Sequence, residues 1–149
     1  MMPGNKMPIA IGERLVEVVN RISHREGKVL ALMNEYSVTL PQVLILKRLE
    51  TEGDLTLSKI AENFKMSLSS VSQMIDRLHL QGFVERRENP GDRRQKIVRA
   101  TPKSRILLKR FHQARAEEYA MGISKLTPGL LSDLDRILKR MIDEWEKIL

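Results

Sequence analysis

Leu57–Thr101, LSKIAENFKMSLSSVSQMIDRLHLQGFVERRENPGDRRQKIVRAT, encodes two short helices, a tight turn between them and two basic strands. Thr56 precedes the first helix as an N-cap, and Leu57, Ile60, Ala61 and Phe64 share one face. Lys65-Met66 leads to Ser67, a second N-cap. The helix after it has Leu68, Val71, Ile75 and Leu78 on an inner face, with Gly82 just past its end. Its opposite face shows Ser69, Ser70, Ser72, Gln73, Asp76 and Arg77. Phe83–Arg87 and Lys96–Thr101 read as strands around Asn89-Pro90-Gly91-Asp92, a tip expected to be longer than a two-residue hairpin turn.

This arrangement suits double-stranded DNA. The major groove is roughly 12 Å wide and admits one helix. Small serines permit close approach, and Ser67, Ser69, Ser70 and Ser72 can donate to phosphates or bases. The amide of Gln73 matches adenine, and Arg77 matches guanine or a phosphate. A solvated polar helix face would show the same residues. The hairpin that follows argues for contact, because it carries Arg86, Arg87, Arg93, Arg94, Lys96 and Arg99. A protruding arginine can enter a narrow minor groove, and the other cations can lie along phosphates. Expected DNA contacts are therefore Ser67, Ser69, Ser70, Ser72, Gln73, Arg77, Arg86, Arg93, Arg94 and Lys96. Asp92 either pairs with a wing arginine and shapes the wing or simply forms the turn.

Charge placement agrees. The formal net charge is +7 over 149 residues, but Asp76–Arg115 holds twelve Lys or Arg against four acids, a net +8. A basic block on a neutral background fits a polyanion partner. A winged helix used as a protein-interaction module for an acidic partner is the alternative. Enzyme activity is not expected. His24, His79 and His112 are scattered, there is no cysteine, and no phosphate loop or nucleophile motif occurs. Glu117 and Glu118 are adjacent, so they diverge on a helix. No metal or cofactor is expected. The start lacks a secretory signal, and no apolar run approaches the roughly 20 residues of a membrane span, so a cytoplasmic location away from membranes is expected.

On the N-terminal side, apolar residues from Ile9 to Tyr36 recur at helical spacing, with Gly27 inside. Thr39 then caps a helix that starts at Leu40-Pro41 and ends at Gly53-Asp54. On the C-terminal side, Pro102 opens a long basic helix that ends or bends near Gly122 and Ser124. Thr127-Pro128 starts a last helix with ten large apolar residues between Leu130 and Leu149.

Leu55–Thr101 resembles the MarR family of winged-helix regulators. The resemblance is carried by Leu57 with Ile60-Ala61, Ser69-Ser70-Val71-Ser72, Asp76-Arg77-Leu78, Gln81-Gly82-Phe83-Val84-Glu85-Arg86, Asp92-Arg93-Arg94, Val98 and Thr101. The Asp-x-Arg wing before the second strand is its most specific part. Gln73 departs from the basic residue many members carry there. Ala100 replaces a usual leucine and Ser104 a usual glycine, both as packing changes.

The resemblance implies a mostly α-helical fold with a small β-hairpin: a winged helix-turn-helix flanked by N- and C-terminal dimerisation helices. Residues 1–149 form one domain in this division, with 38–101 as the DNA-binding region and 9–36 and 102–149 as dimerisation helices. It implies a homodimer with half-sites roughly 34–36 Å apart. Leu15, Val19, Ile22, Leu134, Ile137, Leu138, Met141, Ile142 and Trp145 would line its interface. The ten apolar residues of the last helix agree, since left bare they exceed the few hundred Å² of apolar patch usual for a monomer. Members often respond to small aromatic or phenolic effectors, and Met33, Tyr36, Phe111 and Tyr119 would contribute to such a pocket. The same residues at helical spacing also read as plain core.

Overall fold

The computed structural model describes residues 6–23 and 27–148, without the side chains of Lys6, Arg93, Arg94 and Gln95. The elements run α1 (Lys6–Ile22), α2 (Lys28–Glu35), α3 (Leu40–Glu52), β1 (Leu55–Thr56), α4 (Leu57–Phe64), α5 (Leu68–Leu80), β2 (Val84–Asn89), β3 (Asp92–Ala100), α6 (Pro102–Ile123) and α7 (Pro128–Glu146). The protein is mostly helical with a small antiparallel sheet, in the order β1-β3-β2. Two compact units emerge, Lys28–Ala114 and Met1–Gly27 with Arg115–Leu149. Residues 28–36 and 102–114, assigned from sequence to the dimerisation helices, thus lie in the winged unit. His24 lies outside the described residues.

Local chemistry sets the winged unit's joints. The Thr39 N–H donates to Gln42 Oε1 at 2.8 Å, which satisfies an end group of α3. Thr56 Oγ1 accepts from the Lys59 N–H and Ser67 Oγ from the Ser70 N–H, each at 3.1 Å. Between α4 and α5, Lys65 adopts φ +51°. The Lys65 and Met66 amides then reach back to Glu62 and Ala61 carbonyls, closing the turn. After α5, Gly82 takes φ +76° and the Phe83 N–H donates to the Leu78 carbonyl at 2.9 Å.

The core of this unit joins Ile45 and Leu46 of α3, Ile60 of α4, and Val71, Ile75 and Leu78 of α5 to Phe83, Val84 and Val98 of the hairpin. Leu32 of α2 and Leu107, Phe111 and Ala114 of α6 complete it. These last four explain why flanking segments belong to the winged unit. Ala100 and Ser104 are buried, and Ser104 Oγ donates to the Thr101 carbonyl at 2.8 Å. Both side chains therefore pack inside the winged unit.

Several expectations change. The helix expected across Ile9–Tyr36 is two helices, α1 ending at Ile22 and α2 starting at Lys28, with Gly27 at φ +61° directly before α2. Strand β1 is an addition: its two residues pair Leu55 with Val98 and Thr56 with Ile97. The wing tip is tighter than expected. Asn89 pairs with Asp92, so only Pro90 and Gly91 turn the chain, with a register shift at Glu88/Asn89. The Gly91 N–H donates to Asn89 Oδ1 at 3.0 Å, an Asx turn that closes this hairpin. Leu68 is 52% exposed rather than inward, since the first turn of α5 projects beyond the core.

In the other unit, α1 and α6 approach closely at Gly122, where an added Cβ would lie 2.7 Å from the Ile22 Cα. Helix α7 buries no residue within the chain. Among the described residues, no single helix is long and apolar enough to cross a membrane.

Candidate nucleic-acid interface

The outward face of α5 carries Ser69, Ser70, Gln73, Asp76 and Arg77, all exposed, with Ser72 half-buried. It is the face opposite Val71, Ile75 and Leu78, which are fully buried. Ser67 is partly committed: its hydroxyl caps α5 and donates to Ser70 Oγ at 2.8 Å. Arg77 makes no ion pair among the described residues, so its guanidinium is available.

The wing alternates. Val84 and Arg86 fall on one face of β2, while Glu85 and Arg87 fall on the other and pair at 2.9 Å. Arg86 turns toward α5. Its Nη2 lies 2.5 Å from Asp76 Oδ1, an ion-pair contact rather than an aligned hydrogen bond. Arg86, an expected DNA contact, meets a carboxylate of α5. Lys96 on β3 is exposed, opposite Glu88. Arg93 and Arg94 occupy β3 beside the tip, and their side chains lie outside the described residues. Asp92 is exposed at the first position of β3, facing Asn89.

Two contacts that no local pattern announces fix the wing's base. Arg99 donates through Nε and Nη2 to the two oxygens of Asp54 at 2.8 and 2.6 Å. The hydrogen bond from Arg99 holds the Asp54 carboxyl below its usual range, against a smaller opposing effect of burial. Thr101 Oγ1 donates to the Gly82 carbonyl at 2.7 Å and joins the end of β3 to the turn after α5.

The aromatic candidates divide between the units. Phe111 is buried in the winged core, and Met33 and Tyr36 pack against it. Tyr36 meets Phe83 edge-on with centroids 6.2 Å apart, and Arg110 hydrogen-bonds its hydroxyl. Packing accounts for these three positions. Tyr119 belongs to the other unit, where Arg115 lies 5.8 Å from its ring centroid.

That unit leaves much apolar surface uncovered. Leu15 is 51% exposed and Trp145 57%, and Val19, Ile137, Leu138 and Ile142 are also exposed. Ile22, Leu134 and Met141 are half-buried. Glu118 is the reverse case, a carboxylate 4% exposed on α6 whose burial the sequence pattern did not signal.

Comparison with known proteins places this geometry. Residues 38–96 match the family model described as the MarR family. The multiple antibiotic resistance protein MarR of Salmonella typhimurium is 27% identical over 134 residues, spanning 87% of this chain and 89% of the relative. The crystal structure of YusO from Bacillus subtilis is similar at a TM-score of 0.69 and 25% identity, covering 94% of this chain and 97% of that one. A structure of a point mutant of S. aureus MepR bound to an oligodeoxyribonucleotide shares the fold at a TM-score of 0.64 and 17% identity, covering 93% and 96%.

Proposed function

We propose that the chain, which is similar to the MarR family of transcription regulators, binds a specific double-stranded DNA site as a homodimer and represses transcription there. The exposed polar face of α5, set beside a basic hairpin, carries this proposal. Ser69, Ser70, Ser72 and Gln73 meet base edges or nearby phosphates, and Arg77 meets guanine or phosphate. Arg93, Arg94 and Lys96 of the wing meet the neighbouring backbone or minor groove. Asp92 shapes the wing from its position across the hairpin from Asn89. MepR bound to an oligodeoxyribonucleotide supports the same use of a shared fold.

Uncovered apolar side chains support the dimer. Leu15, Val19, Ile22, Leu134, Ile137, Leu138, Met141, Ile142 and Trp145 form the interface, with α7 burying nothing until a second copy covers it. One domain spans 1–149, its winged region at 38–101 and its dimerisation helices at the two ends. Release by a small-molecule effector and a cytoplasmic setting belong to the same reading.

Selection of bound fragments from genomic duplex DNA tests the function. The expected product is a two-fold symmetric motif with half-sites roughly one helical turn apart. Weak, sequence-blind retention would favour a protein-interaction module instead.

A further inference from the structure

We propose that Asp76 and Arg86 form a tether that sets the pose of the wing on the recognition helix. Arg86 is then a positioning residue for DNA binding, and it touches no DNA itself. The inference rests on α5 and the wing being the DNA-binding surface.

The placement of the two side chains carries it. Arg86 shares its face of β2 with the buried Val84 and stands opposite Val98, which is fully buried. It therefore points inward, toward α5, and its side chain is 26% exposed against 51% for its neighbour Arg87. Its Nη2 lies 2.5 Å from Asp76 Oδ1. Both Nε and Nη2 are buried and lack an aligned hydrogen bond among the described residues. Two of its three nitrogens are thus withdrawn from water beside one carboxylate, and that carboxylate belongs to the element that would enter the groove. Beside it, His79 Nδ1 lies 3.0 Å from the Val84 carbonyl oxygen, so α5 and β2 meet twice along this flank.

Geometry makes this joint matter. Beyond Arg86, β2 runs three more residues to Asn89, about 10 Å at the rise of a strand. A small rotation at the tether becomes a large displacement at the tip, beside which Arg93 and Arg94 sit. Charge makes it testable, because Asp76 is half exposed on the face proposed to meet DNA. Its carboxylate is repelled by phosphate, so its removal alone should tighten binding. The tether requires the opposite.

The experiment measures binding of the full chain to a duplex recovered from genomic selection, at several salt concentrations. Wild type is compared with Asp76→Asn, Arg86→Gln, both together, and the exchanged pair Asp76→Arg with Arg86→Asp. Each single variant should bind about tenfold more weakly, within the range of coupled contacts. The salt slope should stay as in wild type, the double variant should be no weaker than either single, and the exchanged pair should recover part of the loss. Arg86→Lys keeps the charge but loses the fork, so it should also weaken binding at unchanged slope. Asp76→Asn that binds as tightly as wild type overturns the tether. So does Arg86→Gln that lowers the salt slope by about one, the signature of a lost phosphate contact. If Asp76→Asn does not fold, Arg86→Lys decides: full affinity overturns the tether. Wild type that retains no duplex overturns the DNA-binding proposal and the tether with it, whereas the other failures leave DNA binding standing.

Discussion

Arg99 and Asp54, 45 residues apart, are joined by two hydrogen bonds of 2.8 and 2.6 Å that clamp the base of the wing to the turn before β1. Arg99 depresses the Asp54 carboxyl, so the pair stabilises the fold above the ordinary aspartate range, at about pH 4, and loses its effect as pH falls through the lower folded value. Arg99→Gln should therefore be less stable than wild type near neutrality, with the gap closing below about pH 4. Denaturant unfolding across pH checks this. A gap independent of pH would leave the carboxylate out of the effect.

Gly82 should tolerate no side chain without cost. An added Cβ would meet only Lys103 Cδ, at 3.8 Å, so space is available. The constraint is the φ of +76°, which costs an L-residue roughly 1–2 kcal/mol. Gly82→Ala should lower the unfolding free energy by that amount, read as a lower denaturation midpoint with the slope unchanged.

Gly122 and Gly12 should respond in opposite directions. Alanine at 122 would press on Ile22 and force α1 from α6, at about 1–3 kcal/mol. Gly12 lies within α1 with nothing within 4 Å of an added Cβ. Gly12→Ala should stabilise by about 0.5–1 kcal/mol through helix propensity. Paired thermal melts separate the two.

Arg77→Ala should weaken binding to all duplexes and reduce the salt slope by about one if it holds a phosphate. Gln73→Ala should leave the slope alone and relax preference at one base pair. Site selection with each variant distinguishes backbone positioning from base reading.

Ile142→Glu should convert a dimer to a monomer, because it sets a charge among Ile137, Leu138 and Trp145, all exposed within the chain. Sedimentation velocity gives the oligomeric state directly. Loss of DNA affinity should accompany it, since two half-sites are no longer engaged together.

The chain's local order was legible in sequence because caps and turns depend on neighbours. Thr56, Ser67 and Thr127 each cap the helix expected of them, and Gly82 ends α5 by the positive φ that its type permits. The alternation that buries Val98 and Ala100 is a period of two written into the strand. Exposed serines opposite buried Val71 and Ile75 follow from a period of 3.6. Tertiary structure decided what lies between distant residues. A two-residue β1 has too little pattern to detect and exists because β3 offers it an edge. Leu68 fits the apolar stripe but projects past the end of the core. Arg86 and Arg99 look alike in sequence, both basic residues of a wing. Only the folded chain gives each its carboxylate, since ion pairing depends on distance in space and carries no periodic trace along the chain.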